Sequence, residues 1–92
     1  MAMGNIISKE CSPEDLSELA AEVLDGGSAV VIMAQDGDWL GAKFEELWEE
    51  ERGRVAAFLG DSDSSTDMNA VQAFASEQFR SADVVIMRIR ES

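Results

Sequence analysis

Histidine and tyrosine are absent from this 92-residue chain, and cysteine and proline occur once each, as Cys11 and Pro13. Without imidazole there is no base for a Ser-His or Cys-His nucleophile pair, and the commonest transition-metal ligand is missing. A single thiol forms no internal disulfide and runs no two-cysteine redox cycle. That usage points to a reducing compartment such as the cytoplasm. The longest fully apolar run, Ala29 to Ala34, falls far short of the ~20 residues that cross a bilayer. No basic stretch precedes an apolar one near the start, so no secretory leader is expected.

Positive charge is also scarce. Seven lysines and arginines face nineteen acidic residues, a net charge of -12. Binding nucleic acid through its phosphates needs cations that displace counterions, so direct nucleic-acid binding is not expected. An anionic membrane surface repels such a chain for the same reason. What the field favours is rapid encounter with a basic surface on another protein. Hydrophobic residues make up 46% of the chain, enough for one core, so residues 1–92 are expected to form a single domain. Residues 1–4 are expected to be a flexible or cloning-derived lead. If Met3 were the true start, Gly4 would fit an N-myristoylation pattern, the one route to a membrane that the sequence offers.

The periodicity predicts alternating strands and helices. Asn5 to Ser8 reads as a short strand. Ser12-Pro13-Glu14-Asp15 reads as a helix start, with Ser12 as cap and Pro13 at the first helical position. Leu16, Leu19, Ala20, Val23 and Leu24 then form one apolar stripe, and Gly26-Gly27 ends the helix. Ala29 to Ala34 is apolar on both faces, as a strand covered on both sides must be. Asp36-Gly37-Asp38 turns the chain into a second helix with Leu40, Phe44, Leu47 and Trp48 inward and Glu45, Glu46, Glu49 and Glu50 outward. Val55 to Leu59 is a third strand, 61–66 a polar loop, and Met68, Val71, Phe74, Ala75 and Phe79 the inner side of a third helix. Asp83 to Met87 is the last strand, running on into Arg88-Ile89-Arg90. The order β-α-β-α-β-α-β predicts a small α/β domain with a mostly parallel or mixed four-stranded sheet.

Two sets of candidate functional residues follow. Parallel sheets bind ligands at the carboxyl ends of their strands, and Asp36, Asp38, Asp61 and Asp63 follow two of those strands. Oxygen clusters of this kind suit Mg2+, and a receiver-like phosphoacceptor also uses acidic residues at two strand ends. The second set is the acidic helix. Glu45/Glu49 and Glu46/Glu50 are like-charge pairs that each cost about 0.2–0.5 kcal/mol, and an acidic carboxyl end opposes the helix dipole. Helix stability alone does not select that clustering, whereas a docking face does. Trp39, beside the acidic turn, is a natural anchor for such a surface.

The segments NIISK, AVVIMA and DWLGAKFEELWEE resemble the first strand, second strand, WCGPCK motif and long helix of the thioredoxin-like fold. The match runs through Trp39, Gly41 and Lys43. Leu40 stands where the nucleophilic cysteine belongs, Ala42 covers the remaining slot, and Ser81-Ala82-Asp83 occupies the region of the family's cis-proline. The resemblance implies a redox-inactive member that holds or binds other proteins. The sequence thus leads to a non-catalytic acidic binding module (adaptor, chaperone-like holder or inhibitor) that docks on a basic partner through Asp36, Asp38, Trp39, Glu45, Glu46, Glu49 and Glu50. Its alternatives are a Mg2+ or phosphoacceptor centre on Asp36, Asp38, Asp61 and Asp63, and a homo-oligomer or subunit of a larger complex.

Overall fold

The computed structural model describes residues 4–35, 49, 53–61, 63–80 and 82–89. Four strands and two helices follow along the chain: β1 (Ile6–Cys11), α1 (Leu16–Asp25), β2 (Ala29–Ala34), β3 (Val55–Leu59), α2 (Ser65–Gln78) and β4 (Val84–Ile89). The strands form one sheet in the order β1-β4-β2-β3, and every pairing is parallel. The expected α/β domain with a four-stranded sheet is therefore present, and its described strands are parallel rather than mixed. The strand order differs from the arrangement implied by a thioredoxin-like fold. The helix expected between β2 and β3 lies outside the described residues except for Glu49, which is helical and exposed.

Topology explains which face each helix covers. The connection from β1 to β2 crosses the sheet in one direction, past β4, and the one from β3 to β4 crosses it in the other, past β2. Crossovers of one hand must then place their helices on opposite faces. Two separate cores result. On one face Leu16, Ala20 and Leu24 of α1 pack on Val30, Ile32, Val85 and Met87. On the other, Val71 and Ala75 of α2 cover Ala29, Val31, Met33, Val84 and Ile86, with Met68, Phe74 and Phe79 packed alongside. Successive side chains of β2 alternate between the two cores, so all six of its residues are buried. Phe58 and Phe74 close the second core with rings 5.6 Å apart at 52°, a tilted pairing that aromatic quadrupoles favour.

Turn chemistry sets the ends of α1. Its first turn is not the expected one. The Asp15 N–H donates to the Ser12 carbonyl (3.2 Å), and the Ser12 hydroxyl donates to Asp15 Oδ2 (3.0 Å). That tight turn delays the helix until Leu16, with Asp15 as a cap whose side chain bonds no helix N–H. At the far end Gly27 adopts φ 92°, a conformation glycine enters without penalty. The Ser28 N–H then reaches the Val23 carbonyl and the Gly27 N–H that of Leu24, the double bond pattern that satisfies a helix's last carbonyls.

Gly4 has a packing role. A side chain there would overlap the backbone carbonyl of Ala82, at the point where the Asn5 N–H donates to Asp83 Oδ1 (2.9 Å) and the Val84 N–H to the Asn5 carbonyl (2.8 Å). The absent Cβ lets β1 lie against the start of β4.

Candidate functional site

An all-parallel sheet brings the ends of β1, β2, β3 and β4 to a single edge, where Cys11, Ala34, Leu59 and Ile89 terminate the strands. The described loops leaving that edge are the Ser12–Asp15 turn after β1 and the Gly60–Ser64 turn, which feeds α2.

The second turn is a closed hydrogen-bonded unit built from its own acidic residues. The Asp63 N–H donates to Asp61 Oδ1 (2.9 Å), and the Asp61 N–H to Asp67 Oδ2 (2.8 Å). The Ser64 N–H reaches the Asp61 carbonyl (3.0 Å), and Ser64 Oγ accepts from the Asp67 N–H (3.3 Å) as the cap of α2. These carboxylates satisfy backbone donors that would otherwise be left unpaired at a loop and a helix start. Asp61 and Asp63 share this one turn, where the Asp61 carboxylate accepts from the Asp63 N–H. Among the described residues no group of three or more His, Cys, Asp or Glu side chains converges. Asp36 and Asp38 lie outside the described residues, so the full four-carboxylate arrangement is not on view.

Cys11 sits at the same edge, 5% exposed, with its Sγ donating to the Ser12 carbonyl at 3.2 Å. Burial, and secondarily the carboxylate of Asp15, pushes its thiol above the ordinary range. Both effects oppose the thiolate, so this cysteine is a core residue and a poor nucleophile. Alkylation by iodoacetamide at pH 7.5 is expected to run at least about tenfold slower in the native protein than in urea. Equal rates in the two states would contradict the burial. The sign for stability follows from the raised pKa. The neutral thiol is favoured by folding, so its contribution is intact below the usual thiol pKa near 8.5 and is lost as pH rises through the higher folded value.

Arg88 occupies the carboxyl end of the central strand β4, opposite Glu10 of β1 and Met33 of β2. Its Nε is buried and has no hydrogen-bond partner among the described residues. In sequence Arg88-Ile89-Arg90 has the pattern of an ordinary alternating strand end, which carries no signal for a buried guanidinium nitrogen.

The acidic docking face assigned to the second helix falls mostly outside the described residues: Trp39, Glu45, Glu46 and Glu50 are not on view, and Glu49 is exposed. The structure adds a second acidic surface that the sequence reading missed. Glu14 in the turn before α1 and Glu18, Glu22 and Asp25 within it are all exposed, the three glutamates spaced four apart. No lysine or arginine occurs between Lys9 and Lys43 to balance them. The i, i+4, i+8 spacing was visible in the sequence, but the apolar stripe of the same helix drew the reading.

The described architecture defines a small α/β domain with an all-parallel four-stranded sheet and a helix on each face. Comparison with family models, with curated proteins and with solved structures yields no match. Among the described residues no helix is long and apolar enough to cross a membrane.

Proposed function

We propose that the protein is a non-catalytic acidic module that binds a partner protein through a basic surface, in a reducing compartment such as the cytoplasm. The observation that carries this reading is the distribution of charge. The net charge of -12 is not spread evenly: Glu18, Glu22 and Asp25 line the exposed side of α1 with Glu14 in the turn before it, and Glu45, Glu46, Glu49 and Glu50 cluster in the segment after β2. Asp36, Asp38 and Trp39 would complete the contact at the edge. Charges so arranged steer encounter and select a partner by complementarity. The burial of Cys11 and the structural use of the Asp61 and Asp67 carboxylates favour binding over chemistry.

Adaptor, chaperone-like holder and inhibitor are the roles that fit. Capture from native extract at low salt, with the bound proteins identified by mass spectrometry, should return a partner with a basic face that is released by a few hundred millimolar salt. A partner that stays bound at molar salt would argue against the reading. The competing Mg2+ or phosphoacceptor centre draws on the adjacency of Asp61 and Asp63. Coherent NMR shifts of that turn and of Asp36 and Asp38 at millimolar Mg2+ would favour it.

A further inference from the structure

We propose that the outer edge of β1 accepts an extended segment of the partner, carrying alternating basic and apolar residues, as a fifth strand of the sheet. The inference rests on the basic-partner reading above and specifies how part of that partner is held.

The phase of the β1–β4 ladder shows which backbone groups are turned outward. In a parallel pair every second residue of a strand makes both of its bonds to the neighbour. The Val84 N–H donates to the Asn5 carbonyl, so Asn5, Ile7, Lys9 and Cys11 direct their main-chain groups towards β4. Ile6 and Ser8 turn theirs away, and β1 is an end strand of the sheet among the described residues.

Exposure distinguishes this edge from the opposite one. Ile7, Ser8, Lys9 and Glu10 of β1 are all exposed, and Ile7 leaves 50% of its surface in water. In β3 only Leu59 is exposed, while Val55 and Ala56 are buried. A bare end strand is a template for strand addition, which uses main-chain hydrogen bonds for affinity and alternate side chains for selection.

The side chains beside the edge describe the occupant. Ile6 belongs to the α2-side core and Cys11 to the α1-side core. Alternation therefore puts Ile7 and Lys9 on the α1 side and Ser8 and Glu10 on the α2 side. An incoming strand meets Ile7 and Lys9 on one side and Ser8 and Glu10 on the other, so apolar residues beside Ile7 alternate with residues whose charge suits the acidic surroundings of the edge. Glu10, Glu14 and Asp15 outnumber Lys9 and the Arg88 that pairs across from Glu10, and the whole chain carries -12. A second copy of the chain is the poorer occupant, because each copy carries a charge of -12 and like charges repel across an interface.

The probe is the capped peptide Lys-Val-Lys-Val-Lys-Val-Lys, followed by amide hydrogen exchange and NMR titration of the whole protein at low salt. Saturating peptide is expected to slow exchange of the Ile6 and Ser8 amides about tenfold or more, with a Glu-Val analogue giving no effect. Ser8→Pro removes an outward N–H while sparing the β4 ladder and is expected to weaken peptide binding at least about tenfold. If that variant misfolds, the exchange measurement on the native chain still decides. Unchanged exchange at Ile6 and Ser8 would overturn the proposal, as would sedimentation showing the edge already occupied by a second copy. Peptide binding that survives Ser8→Pro but is lost on reversing Glu45, Glu46, Glu49 and Glu50 would sink the edge alone. No binding of any basic peptide or protein would remove the functional reading as well.

Discussion

Ile86→Ala is expected to destabilise the protein by about 2–5 kcal/mol, the usual cost of removing a large aliphatic side chain from a site that cannot collapse. Ile86 is 0% exposed, on the strand that pairs with both β1 and β2, and packs in the core beneath α2. Strands fix their positions on both sides, so the backbone has little freedom to close the cavity. For a domain of this size the melting temperature should fall by roughly 10–40 °C. Because small domains hold only ~5–15 kcal/mol in total, the variant would sit near the limit of folding. Leu59→Ala provides the contrast. Leu59 is 62% exposed at the end of an outer strand, and its truncation should stay within about 1 kcal/mol. Thermal melts of the two variants that coincide would show that the sheet centre has been misplaced.

The second large effect concerns binding. Converting Glu45, Glu46, Glu49 and Glu50 together to lysine changes the formal charge from -12 to -4, since each swap adds two charges. Single exposed ion pairs contribute only about 0.2–1 kcal/mol. Four clustered reversals exchange attraction for repulsion, and a combined loss of roughly 2–5 kcal/mol corresponds to about 30- to several-thousand-fold in affinity. The loss should appear mainly as slower association and should shrink as salt rises. Reversing Glu14, Glu18 and Glu22, at and just before α1, provides the comparison that maps how far the contact extends.

Much of the framework was legible in the sequence, for physical reasons that can be traced element by element. β2 and β3 begin and end where expected, because unbroken apolar runs bounded by Ser28 and Gln35 and by Arg54 and Gly60 leave little freedom. β1 was read as ending at Ser8 and continues to Cys11. Its Ser8-Lys9-Glu10 stretch has no apolar signal, and pairing with the whole length of β4 makes it a strand. The start of α2 lay hidden within a polar run. Ser64 with Asp67 three residues on is a capping pattern, but seven acidic and hydroxyl residues in a row have the composition of a loop. Strand order was not legible, since the insertion of β4 between β1 and β2 depends on long-range packing that no local rule encodes. Of the candidate site, the sequence placed Asp61 and Asp63 in the loop after β3, while the use of the Asp61 and Asp67 carboxylates as acceptors for backbone N–H groups required the structure.

Calorimetric titration of the captured partner with the native protein and with the Glu45, Glu46, Glu49 and Glu50 lysine variant, each at 50 and 300 mM salt, tests the central claim most directly. Selection by negative charge predicts tight, strongly salt-sensitive binding by the native chain and little or none by the variant. Equal affinities for the two proteins at low salt would contradict it.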